Sequence, residues 1–177
     1  PKVHKVPFIP MLEEDNVRRG FFEHDQFLLL REALPEELRP VLTMAYYTGC
    51  RRGEILALEW RQVDLRENVV RLDPGTTKNK EPRVLPLNRD LREMLTMLKE
   101  QRDLEFPETK YVFTRHGQQV RFFRRPWMRA CKQAGLVDAE GNPDKLFHDL
   151  RRSGVRNLVR AGVPERVAMT ISGHKTR

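Results

Sequence analysis

The apolar residues of this chain change rhythm twice, and that limits the folds open to it. Up to Leu58 they recur at helical spacing. Phe27, Leu28, Leu30 and Leu34 make one stripe, and Val41, Leu42, Met44, Ala45 and Tyr46 another. From Trp60 the pattern turns extended. Val63, Leu65, Val69 and Leu72 alternate or cluster, and Arg83-Val84-Leu85-Pro86-Leu87 forms a second run. Asp73–Pro82, rich in Gly, Thr, Asn and Lys, reads as a hairpin between them. Helical spacing then returns with Leu91, Leu95 and Leu98, and Tyr111-Val112-Phe113 reads as a third short strand. The expectation is a mainly α (α+β) fold, with helices around one small three-stranded antiparallel sheet.

Punctuation sets the helix ends. Pro35 closes a first helix over Glu23–Ala33, and Pro40 suits the first position of the next, which Gly49 stops. A shorter helix is expected from about Arg51 to Leu58. Asn88 can cap the helix carrying Leu91, and another runs from near Phe122 to Ala134. The last stretch predicts two helices, about His148–Ala161 and Pro164–Gly173, separated by Gly162. Leu150, Val155, Leu158 and Val159 are expected to face inward. The first 22 residues, punctuated by Pro7 and Pro10, read as a linker.

The net charge of +8 favours a polyanionic partner, and the charge is unevenly spread. Between Lys110 and Gly135 there are seven Lys or Arg and no acid. Between Lys145 and Arg177 there are eight basic residues against two acidic ones. The first forty residues carry eight acids and six bases. The basic C-terminal half points to nucleic acid. No apolar run is long enough for a membrane span. Cys50 and Cys131 have no zinc spacing and read as free thiols.

Five basic side chains stand out by order and spacing. Arg51 lies in Thr48-Gly49-Cys50-Arg51-Arg52-Gly53-Glu54, after a glycine break and at a helix start. The helix dipole there would favour a phosphate, and Glu54 could hold Arg51 in place or form an ordinary surface pair. Lys78 sits at the proposed hairpin tip, with Lys80 as a rival. His148 and Arg151 are three apart, on one helix face. His174 follows Gly173 at a helix end. Arginine suits phosphate because its planar fork matches two oxygens and stays charged. Histidine can move a proton near neutrality.

Thr-Gly-x-Arg-x-x-Glu, then Leu58, Trp60, Val63 and Asp64, then the Lys turn, His-x-x-Arg and Gly-His together resemble the catalytic domain of the tyrosine recombinases, the phage-integrase family. The resemblance runs from about Asp25 to Lys175. It implies a DNA breaking-rejoining fold that cuts and rejoins double-stranded DNA through a 3′-phosphotyrosyl link, with neither metal nor cofactor. It implies Arg51 and Arg151 as a phosphate clamp, His174 as a third phosphate contact, Lys78 as general acid and His148 as proton acceptor. Arg121, Arg124, Arg125, Arg129, Arg152 and Lys80 are expected to contact DNA. The family further implies an upstream DNA-binding domain, a tetramer on paired DNA sites, and a bacterial or phage-encoded protein acting in the cytoplasm, away from membranes.

The family also uses a tyrosine shortly after the last histidine. This chain has Tyr46, Tyr47 and Tyr111, all expected in or near the core, and ends at Arg177. The expectation is therefore a linker over 1–22 and a catalytic domain over 23–177, cut short of its nucleophile, that binds DNA without cleaving it. Other readings are a helix-turn-helix regulator using the Gly162 break, a type IB topoisomerase-like enzyme, and a degenerate prophage remnant.

Overall fold

The computed structural model describes residues 20–74 and 82–174. Helix α1 spans His24–Ala33, α2 Arg39–Thr48 and α3 Arg52–Leu56. Strands β1 (Val63–Asp64), β2 (Val69–Leu72) and β3 (Arg83–Pro86) follow. Then come α4 (Arg89–Glu105), the hairpin β4 (Thr114–Arg115) and β5 (Gln118–Gln119), α5 (Arg124–Gln133), α6 (Asp149–Arg160) and α7 (Glu165–Ser172).

Helix α2 is the centre. Seven of its ten residues are buried: Val41, Leu42, Thr43, Met44, Ala45, Tyr46 and Thr48. A helix apolar nearly all round belongs inside a core. Its two buried threonines donate back to the carbonyls of Arg39 and Met44, which satisfies their hydroxyls. Around α2 pack Phe27 and Leu30 from α1, Leu91 and Leu95 from α4, Leu85 from β3 and Leu150 from α6. Phe22, at the end of the stretch read as a linker, is completely buried and meets Trp127 edge-on at 6.1 Å. Its N–H donates to Ser153 Oγ at 2.8 Å, so the chain is anchored on α6 from there on.

The three-stranded antiparallel sheet has the order β1-β2-β3, with Val70 opposite both Val63 and Leu85. Its third strand is β1, and Tyr111–Phe113 is not part of it. Tyr111 makes only a single bridge, to Glu59. The turn at Trp60–Gln62 follows at once and ends any longer ladder. Asp64 Oδ1 accepts the N–H groups of Arg66 and Glu67, and Asn68 takes a positive φ of 55°. Those contacts close β1 onto β2. The β4–β5 hairpin has no apolar alternation to announce it; it turns on His116 and Gly117, both at positive φ. Val159, expected inward, is 43% exposed, because α6 drifts off the core over its last turn.

The end of α2 meets α6 through two glycines. Gly49 closes α2 in the left-handed conformation at φ 63°, and Gly154 lies against it. No helix among the described residues is long and apolar enough to cross a membrane.

Candidate active site

The loop after α2, the end of α7 and the first turn of α6 converge. Arg151, on α6, is 4% exposed. Its Nη1 donates to Gly49 O at 2.8 Å and also to Ser172 O. Its Nη2 is buried and finds no acceptor among the described residues. A buried guanidinium donor left unpaired is costly unless an anion is to meet it. Burial, and next the charge of Arg51, pull the Arg151 pKa down to about 10, so it remains charged at neutral pH.

Arg51 stands just before α3 and is half-buried. Its Nη1 donates to Glu54 Oε1 at 2.9 Å and its Nη2 to Gly173 O at 3.2 Å. Its backbone N–H donates to Glu54 Oε2 at 3.0 Å. Glu54 is therefore a buried anchor and not a surface partner. Because α3 is only five residues long, the dipole expected at Arg51 is small.

His174 follows Gly173, which caps α7 at φ 74°. Its N–H donates to Met169 O at 3.0 Å, and its Nδ1 is 2.8 Å from Ser172 Oγ. Burial, then the charges of Arg151, Arg51, His148 and Arg83, lower its pKa to about 4. Four of the five residues singled out in the sequence thus sense one another. His148 stands exposed at the start of α6, in the position before Asp149. Lys78 and Lys80 lie outside the described residues; β2 and β3, which precede and follow them in the chain, pair antiparallel.

One site residue escaped the sequence reading. Arg83, there only the first residue of an extended run, is 8% exposed and its Nη2 lies 2.6 Å from Glu54 Oε2. Its position as the sole charge in an apolar strand, Arg83-Val84-Leu85-Pro86-Leu87, was the available signal. The cluster holds three arginines against one carboxylate, a local excess of positive charge suited to an anion.

The remaining basic residues behave differently. Arg121, Arg124, Arg125 and Arg129 are exposed. Arg152 sets its guanidinium 4.8 Å from the Phe21 ring, with Arg156 4.4 Å from the same ring. Both cysteines are free and buried. Burial pushes the Cys50 thiol up to about 11, so it is protonated and unreactive. Each of the three tyrosines is engaged elsewhere. Tyr46 is buried and stacks on Phe27 at 4.0 Å. Tyr47 donates to Asp90. Tyr111 lies under Lys110, 5.1 Å from its ring centre. Among the described residues no cluster of side chains could hold a metal ion.

Buried Arg151, half-buried Arg51 and His174 thus meet at helix ends around a small sheet. The model of the Phage integrase family matches residues 12–177, and the chain belongs to that family. The integrase of Salmonella phage P22 is 28% identical over 180 residues, covering 96% of this chain and 44% of that protein. The shufflon-specific DNA recombinase of Escherichia coli is 32% identical over 139 residues, covering 77% of this chain and 31% of that protein. The chain spans less than half the length of both relatives. Among solved structures, XerA recombinase superposes with a TM-score of 0.71 at 23% identity, over 88% of this chain and 56% of that one. A lambda integrase dimer bound to a COC′ core site superposes with a TM-score of 0.72 at 22% identity, over 92% of this chain and 47% of that one. These structural likenesses establish the fold.

Proposed function

We propose that this chain is the catalytic domain of a site-specific DNA recombinase, cutting and rejoining double-stranded DNA through a 3′-phosphotyrosyl link. The observation that carries the reading is the unpaired, buried Nη2 of Arg151 beside Arg51 and His174. Such a cluster receives a phosphate diester and, more strongly, the extra charge of its pentacoordinate transition state. Arg51 and Arg151 bind the non-bridging oxygens. His174 Nδ1 lies 2.8 Å from Ser172 Oγ, and the tautomer that carries its proton on Nε2 gives the phosphate a third donor. His148 accepts the proton of the attacking tyrosine, and Lys78, with Lys80 as the alternative, protonates the leaving 5′ oxygen. The attacking tyrosine is none of Tyr46, Tyr47 or Tyr111, since each is engaged elsewhere.

The exposed arginines Arg121, Arg124, Arg125 and Arg129 extend the contact to DNA, together with Arg152 and Lys80. The longer protein carries a DNA-binding domain upstream of the linker over residues 1–22 and acts as a tetramer on paired sites, in the cytoplasm. A helix-turn-helix regulator fits less well. It gives no task to buried Glu54 or to Arg51 and Arg83, which pair with it.

The test is a nicked suicide substrate and a recombinase that extends past His174 to include a tyrosine. Arg51→Ala and Arg151→Ala are each expected to abolish the covalent protein–DNA adduct while DNA binding falls modestly. Undiminished adduct in either variant refutes the assignment.

A further inference from the structure

Arg83 has no task in the reaction just described, yet it sits at the centre of the site. Its side chain is 7% exposed. Nη2 binds Glu54 Oε2 at 2.6 Å, and Nη1 reaches Ile171 O at 3.4 Å. The guanidinium also fills the space beneath Gly173. A β-carbon at position 173 would fall on Arg83 Nη1 and lie 2.6 Å from Cζ.

These contacts close a ring. Arg83 grips Glu54 through Oε2, and Glu54 grips Arg51 through Oε1 and through the Arg51 backbone N–H. Arg51 then reaches Gly173 O, the residue that rests on Arg83. Only a planar fork can hold Glu54 on one nitrogen and support the α7 end on another; a lysine offers one point. As a stability device the pair is a poor choice, because apolar residues of like volume would often serve as well in a core. Apolar residues would leave Glu54 without the partner on Oε2 that fixes its grip on Arg51, and the Gly173 turn without the guanidinium beneath it. Arg83 is also the first residue of β3.

We propose that Arg83 is a positioning residue: by holding Glu54 and supporting the Gly173 turn, it sets Arg51 and His174 in the mutual geometry that receives a phosphate. The proposal rests on the reading of Arg51 and His174 as phosphate ligands. Arg83 acts through them and touches no substrate itself.

The experiment follows the His174 ring resonances in the histidine-labelled chain as inorganic phosphate is added at constant ionic strength. Wild type, Arg51→Ala, Arg83→Lys and Arg83→Gln are compared, with amide dispersion reporting the fold. Phosphate is expected to shift the wild-type signal. In Arg83→Lys the affinity is expected to fall about tenfold or more, as for one lost charge-assisted hydrogen bond, although the charge is kept. Arg83→Gln is expected to fall at least as far; should it fail to fold, Arg83→Lys decides. A folded Arg83→Lys that binds phosphate as wild type does, while Arg51→Ala does not, overturns the role of Arg83 alone. A wild-type His174 signal indifferent to phosphate overturns the phosphate reading beneath it.

Discussion

Gly154 rests on Gly49 so closely that a β-carbon at 154 would lie 2.6 Å from the Gly49 nitrogen and 2.7 Å from its α-carbon. That approach seats α6 on the end of α2 and brings Arg151 within 2.8 Å of Gly49 O. Gly154→Ala is favourable for an isolated helix by up to about 1 kcal/mol. Here the overpacking costs about 1–3 kcal/mol and dominates. Urea denaturation should show a net loss of stability. An unchanged midpoint would mean that α6 does not depend on this contact.

Glu54 neutralises two arginines in a buried setting, with 4% of its side chain exposed. Glu54→Gln leaves Arg51 and Arg83 without their anion, a loss of about 3–5 kcal/mol for breaking a buried pair. Burial pushes the Glu54 pKa up, but the Arg51 N–H, the Arg83 charge and the two guanidinium bonds outweigh it and hold it below 4.5. A carboxylate with a depressed folded pKa adds stability above its unfolded value and loses it as pH falls through the folded one. Wild type should therefore lose stability below pH 4.5, and Glu54→Gln should lose less over that window. Parallel acid profiles for the two proteins would contradict the pairing.

His174 is neutral at pH 7 because burial and then the surrounding arginines lower its pKa to about 4. The unfolded chain takes up the proton near 6.5, so His174 subtracts stability as pH falls from 6.5 towards 4. A bound phosphate opposes those charges and should raise the midpoint. NMR titration of the ring, with and without phosphate, reads both numbers. A midpoint near 6.5 without phosphate would show that His174 stands apart from the arginines.

The choice between Lys78 and Lys80 can be decided by the leaving group. In a recombinase that carries its tyrosine, Lys78→Ala should slow cleavage of ordinary DNA, and Lys80→Ala should weaken binding only. A bridging 5′-sulfur substrate, whose leaving thiolate needs no proton, should restore cleavage to Lys78→Ala. Rescue confined to Lys80→Ala would exchange the two roles.

Much of this was legible in the residues themselves. Gly49 and Gly173 mark helix ends in the sequence, and both take the left-handed conformation there. Asn88 caps α4 by accepting the Leu91 N–H at 2.9 Å. The three-stranded sheet was legible too, but not its membership. Period-two patterning finds extended segments and cannot say which of them pair, so Tyr111–Phe113 stood in for the two-residue β1. The β4–β5 hairpin was invisible because its strands are polar and two residues long.

The sequence by itself determined the family and the order in which Arg51, His148, Arg151 and His174 arrive. Those depend on residue type and spacing, which local physical chemistry can read. Only the tertiary structure decided what those side chains do to one another. It buried Arg151 with one nitrogen unpaired, made Glu54 a shared anchor, and recruited Arg83 from a strand to support Gly173. Charge and hydrogen bonding act through space. Arg83 and Gly173 are ninety residues apart along the chain, and no local pattern records that the fold sets one upon the other.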